Sequence, residues 1–206
     1  MWRLQCRRRA GSMSDKKFYC ALVLTILLIM FDVVLFIECG FIQNQDLQPN
    51  SYGLKIHCED IDLLYDCKDE LDKIPDIVLQ SFKKNGWHLY IGDKYIEKMQ
   101  DIYGEARIIG LTRCGFKTII VEDASPLLHE FGHFIYYQLD DDDFARIYQY
   151  EVNISKMWAY YNSNEAEYFA QYFDYFINNV ERYVDGLPLT KCYFEDLKYN
   201  DWGLAS

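Results

Sequence analysis

Ser125-Pro-Leu-Leu-His-Glu-Phe-Gly-His-Phe-Ile-Tyr-Tyr137 is the stretch on which the reading of this chain turns. His129, Glu130 and His133 form an H-E-x-x-H pattern inside an apolar run. On a helix, residues four apart share a face, so the two imidazoles converge on one point. Two histidines at that spacing can bind one zinc ion, with the intervening glutamate beside the open coordination position. The pentapeptide also recurs by chance in plain amphipathic helices, so it needs support from elsewhere in the chain. Ser125 and Pro126 read as an N-cap and a first helical residue, and the helix is expected to end near Asp140.

Working outward, Asp62 to Lys84 carries apolar residues at helical spacing, interrupted at Pro75. Gly86 to Gly92 alternates between glycines, which predicts a strand, and Asp93 to Tyr103 predicts a short helix. Arg107–Arg113 and Lys117–Val121 predict two more strands, with Cys114-Gly115-Phe116 turning between them. The acidic run Asp140–Asp143 is expected to cap a helix from Phe144 to about Met157. Its adjacent carboxylates lack the alternating spacing of a calcium loop. A last strong helix is expected from Glu165 to Val180. These elements predict an α+β domain over residues 57–206, with His57 and His88 as surface or packing residues.

The chain has 206 residues, room for one membrane segment and one domain of ordinary size. Its net charge is −11, unevenly spread: residues 1–17 hold Arg3, Arg7, Arg8, Arg9, Lys16 and Lys17 against Asp15 alone. The acidic remainder argues against nucleic acid as a partner. Phe18 to Ile37 is a 20-residue apolar stretch interrupted by Asp32, long enough to cross a bilayer as a helix. A central Asp costs about 3 kcal/mol on insertion, while each Leu, Ile, Val or Phe returns roughly 0.3–0.6 kcal/mol, so the sum favours insertion. The expected layout is a basic cytoplasmic tail (1–17), a membrane anchor (18–38), a linker (39–56) and an extracellular domain. A cleaved signal peptide, and hence a secreted protein, is the competing reading. The long apolar run and the lack of an Ala-x-Ala-like site count against it.

Cysteines stand at 6, 20, 39, 58, 67, 114 and 192. Cys58 and Cys67 are close enough to close a small disulfide loop, and two free buried thiols are an equal reading.

A catalytic zinc takes three protein ligands and leaves one position for water. Asn164-Glu-Ala-Glu-Tyr-Phe-Ala-Gln-Tyr-Phe173 offers Glu165 and Glu167 on a second helix. Spacing alone leaves both open, and Asn164-x-x-Glu167 is equally a capping-box spacing. Taken together, His-Glu-Phe-Gly-His and Glu-Tyr-Phe-Ala-Gln resemble the zinc metalloproteases related to the catalytic domain of anthrax lethal factor. The secreted clostridial Pro-Pro endopeptidases belong to the same group. The resemblance covers roughly residues 60–185. It implies a zincin-like fold, with a small mixed sheet, an active-site helix and C-terminal helices. It also implies one catalytic Zn2+ held by His129, His133 and Glu167, with Glu165 as the alternative carboxylate. Glu130 would be the general base, and Tyr160, seven residues before Glu167, the hydroxyl that assists the transition state. The implied reaction is hydrolysis of extended peptide or protein substrates, near prolines in one branch of the group. In zincins the edge strand before the active helix pairs with substrate, which here points to Lys117–Val121. Two rivals keep the fold: an idle ectodomain serving as a binding module, and a toxin-like protease released from the membrane. The intact motif favours the enzyme.

Overall fold

The computed structural model describes residues 52–58, 60–104, 107–139 and 143–204. They belong to one unit, Gln45–Ser206. The expected tail, anchor and most of the linker lie outside the described residues. Among the described residues, no helix is long and apolar enough to cross a membrane.

The domain is α+β, built on a four-stranded mixed sheet. The strands are β1 (Lys55–Cys58), β2 (His88–Ile91), β3 (Gly110–Arg113) and β4 (Thr118–Val121), in the order β1-β2-β4-β3. The pairs β1–β2 and β2–β4 are parallel, and β3 runs antiparallel to β4. Parallel neighbours need crossover connections. The first is supplied by α1 (Ile61–Leu71) and α2 (Asp76–Lys84), separated at Pro75 as the sequence predicts. The second runs through α3 (Asp93–Tyr103) and β3. Lys55 and Ile56, read above as the end of a linker, already belong to the sheet.

Strand alternation sorts the sheet's two faces. Cys58, Leu89, Ile91, Ile119 and Val121 face the main core. His57, His88 and Tyr90 face the other way. On that side α3 covers Ile120 and brings Tyr95 against Tyr90, with ring centroids 5.2 Å apart. The position of β4 corrects one expectation. Its strand is interior, paired on both sides, so it has no free edge for a substrate. The exposed edge on that side of the sheet is β3.

Five further helices follow: α4 (Leu127–Gln138), α5 (Asp143–Glu151), α6 (Glu165–Ile177), α7 (Glu181–Val184) and α8 (Pro188–Tyr199). Helix α4 carries the H-E-x-x-H motif and lies against the core face of the sheet. Phe131 and Phe134 pack on Phe82, with centroids 5.1 and 5.3 Å apart, and Phe134 meets Trp87 at 5.0 Å. Each fully buried Phe contributes roughly 1.5–3 kcal/mol relative to exposure, so this cluster sets the rotation of α4. With Phe131 and Phe134 turned inward, His129 and His133 are left toward α6. Phe169 and Tyr172 of α6 form an aromatic layer with Phe194 of α8 and Trp202, and Phe169 also packs on Tyr136 of α4.

Several boundaries differ from the expected ones for local reasons. Ser125 does not cap α4. Its N–H and hydroxyl both donate to Asp123 Oδ1, at 2.7 and 2.6 Å, closing a turn before the helix. Helix α5 stops at Glu151 rather than near Met157, where Val152, Asn153 and Ile154 are weak helix formers. Helix α6 stops at Ile177 because Asn179 takes a left-handed conformation, φ 52°. The buried Glu151 accepts from Leu189 N (2.8 Å), Thr190 N (2.9 Å) and the Thr190 hydroxyl (2.6 Å), so α5 caps the start of α8. Cys58 and Cys67 are free buried thiols. Burial pushes both up, Cys67 to about 12.

Candidate metal centre

Helices α4 and α6 form the most extensive helix pairing in the domain. Glycine at 132 makes it possible. A Cβ there would lie 2.6 Å from Ala170 Cα and 2.9 Å from Ala170 O, closer than real atoms approach. The backbones therefore nearly touch beside His133 and about one turn from His129, which brings the face of α6 carrying Glu167 within reach.

His129 and His133 present their Nε2 atoms 3.1 Å apart. Glu167 Oε2 lies 3.2 Å from His129 Nε2, and Glu167 Oε1 lies 3.5 Å from His133 Nε2. The three ligand atoms all fall within 4.8 Å of one another. Among the described residues this is the one His/Cys/Asp/Glu group placed to hold a metal ion. Glu167 Oε2 is close to His129 yet out of hydrogen-bond alignment. It is a buried polar atom without a hydrogen bond. A buried carboxylate oxygen left unpaired beside two imidazole nitrogens is costly unless a cation satisfies it. Two imidazoles and one carboxylate match the donor set of a catalytic zinc site.

The two candidate carboxylates separate clearly. Glu165 accepts from the Tyr136 hydroxyl at 2.9 Å and so ties α6 to α4 away from the histidines. Asn164 does cap α6, accepting from Glu167 N at 3.0 Å. The capping spacing and the approach to the histidines therefore coexist, because the cap uses the backbone of Glu167 and leaves its carboxylate free to turn inward.

Electrostatics reinforce the cluster. Burial opposes the charge on Glu167, but the approach of both imidazoles outweighs it and holds the carboxyl down at about 2. Burial likewise opposes charge on His129, while Glu167, Glu130 and Asp174 together raise its pKa. Glu130, 5% exposed, is pushed above the usual carboxylate range by burial, against the pull of His129, His133 and a hydrogen bond from Thr112. A buried glutamate one residue from a converging histidine pair is placed to exchange a proton within the site.

Tyrosines flank the cluster. Tyr161 packs on His129 with ring centroids 5.5 Å apart, and Tyr137 stacks over His133 at 6.3 Å. Tyr160 is 63% exposed, with its ring 5.4 Å from that of Tyr161. His57 and His88 lie on the opposite sheet face and hydrogen-bond each other, Nε2 to Nδ1, at 2.9 Å.

Sequence reading missed Thr112, Gly110, Tyr161 and Tyr137. Thr112 reaches Glu130 across 18 residues of chain, a separation no motif marks. The signal available for Tyr161 was only its place next to Tyr160. Neither a protein-family model nor a curated protein matches the chain.

Proposed function

We propose that this chain is a zinc-dependent endopeptidase with a zincin-like domain, resembling the catalytic domain of anthrax lethal factor. Residues 18–38 would serve as the membrane anchor that places it outside the cell. The carrying observation is the convergence of His129, His133 and Glu167 within 4.8 Å, beside the buried carboxylate of Glu130. When bound there, zinc supplies a Lewis acid that makes water nucleophilic near neutral pH.

The chain's own residues then divide the work. His129, His133 and Glu167 hold the ion. Glu130 accepts the proton of the attacking water and delivers it to the leaving amine. The free edge of β3 takes the substrate main chain as an added strand. Tyr160 donates its hydroxyl to the developing oxyanion. Its exposure suits that role, since such a donor must meet substrate and often closes only when substrate is bound.

Glu130→Gln tests this reading in the full-length chain. The amide has the size of the acid and no proton to shuttle, so one zinc per chain should remain by elemental analysis. Peptide hydrolysis should fall by roughly 10²–10⁴-fold. Cleavage at the parent rate would remove Glu130 from its role. Absence of zinc in the parent would remove the metal centre itself.

A further inference from the structure

We propose that Thr112 is a positioning residue for Glu130: from edge strand β3 its hydroxyl holds the carboxylate, while the same strand carries the substrate. The inference rests on the endopeptidase reading and extends it to a residue outside every motif.

Thr112 sits within β3, in register with Ile119 of β4. Ile119 faces the main core, so Thr112 and Gly110 turn toward α4, while Leu111 and Arg113 turn toward α3. Arg113 follows that pattern, with its guanidinium 3.7 Å from Met99 Sδ on α3. Thr112 Oγ1 lies 2.7 Å from Glu130 Oε2 and 3.0 Å from the Glu130 carbonyl. A hydroxyl has one proton to donate. The carboxylate, charged and nearer, is the stronger acceptor of the two.

Gly110 completes the cradle. A Cβ there would lie 2.5 Å from Glu130 Oε1 and 2.9 Å from Glu130 Cγ. One strand thus addresses both carboxylate oxygens: Thr112 binds Oε2, and the bare backbone of Gly110 backs Oε1. Glu130 has a flexible side chain, and α4 supplies the motif but no side chain that binds the carboxylate. Its orientation comes from β3.

The consequence concerns register. A substrate added to the free edge of β3 is fixed relative to β3, and so is Glu130. Base and scissile bond are then set by one element. Misplacement of a reacting group by about 1 Å can cost 10²-fold in rate.

The test uses the full-length, zinc-loaded chain and a fluorogenic peptide selected from a mixed-sequence library as cleaved by the parent. Thr112→Val keeps the branched shape and removes the hydroxyl, and Thr112→Ser keeps the hydroxyl. Thr112→Val should lower kcat about tenfold with KM within about twofold of the parent and zinc content unchanged, and Thr112→Ser should restore most of the loss. In a Glu130→Gln background, Thr112→Val should change the residual rate by less than about twofold. Independently of turnover, the Glu130 carboxyl carbon resonance, assigned by its loss in Glu130→Gln, should shift in Thr112→Val and stay in place in Thr112→Ser. A Thr112→Val variant as fast as an active parent overturns the inference and leaves the endopeptidase reading standing. A rate loss that persists undiminished in the Glu130→Gln background also overturns it, since Thr112 would then act through structure alone. A zinc-loaded parent that cleaves no peptide overturns both readings together.

Discussion

At the scale of single residues, the neighbours Tyr160 and Tyr161 differ in surroundings: Tyr161 is half-buried against His129 and Tyr160 is exposed. Tyr161 packs on the ring of His129, a contact that would hold the proposed ligand in place. Tyr160, beside it, is 63% exposed, and in the proposed reading its hydroxyl meets a bound peptide. Tyr160→Phe is therefore expected to lower kcat by roughly 100-fold with zinc content unchanged, as for loss of one oxyanion donor. Tyr161→Phe retains the ring and should change kcat by less than about threefold. Steady-state kinetics on the two variants decide the matter, and the reverse ranking would transfer the role to Tyr161. Histidine and glutamate identities were legible at this scale because a helix converts spacing into direction without help from the rest of the chain. Spacing alone left Glu165 and Glu167 open, since both lie in the first turn of α6, and the family resemblance pointed to Glu167. Only the position of α4 decides which of them faces the histidines.

At the scale of elements, the close crossing of α4 and α6 is what turns a motif into a site. Gly132→Ala gains up to about 1 kcal/mol of helix propensity, but the new Cβ overlaps Ala170 backbone, and overpacking of this kind costs about 1–3 kcal/mol. The overlap should win, because backbone yields less readily than a side chain. Thermal unfolding of the apo chain is expected to fall by roughly 2–8 °C, and zinc titration should show weaker binding as Glu167 is pushed from the histidines. A rise in Tm with unchanged zinc affinity would show that the helices do not meet at Gly132. The elements themselves were largely legible. Pro75 divides α1 from α2, and Asp93–Tyr103 coincides with α3. Strand β1, only four residues long and half of it read as the end of a linker, was not recognised, nor were α7 and α8. Helix α8 starts where a buried glutamate from α5 satisfies its first N–H groups, a partner that local sequence does not display.

At the scale of the whole molecule, the histidine pair on the outer sheet face gives stability a specific pH dependence. Burial, followed by the charges of His88 and Lys55, lowers the pKa of His57 from 6.5 to about 4. Burial and Lys55 also lower that of His88. The fold therefore favours neutral rings, whereas the unfolded chain protonates near 6.5. Stability from His57 is complete above pH 6.5 and is lost as pH falls from there to about 4. Because the pair is only half-buried, solvent screening reduces the effect to about 1–2 kcal/mol. Denaturant midpoints measured at pH 7 and pH 4.5 should differ more for the parent than for His57→Gln. Equal differences in the two proteins would show that His57 is not the titrating group.

Sequence alone determined the donors and their spacing: two histidines four apart, a glutamate between them, and a carboxylate-bearing helix some thirty residues on. It did so because helical periodicity is a local property, set by backbone geometry within a few residues. Sequence also determined the order of most elements, through apolar periodicity and the placing of glycine and proline. Tertiary structure decided which carboxylate meets the histidines, that β4 is interior and β3 the free edge, and that Thr112 reaches Glu130. Each of these depends on contacts between segments far apart in the chain. Such contacts follow from how buried faces stack and how closely backbones approach, and no single segment carries that information.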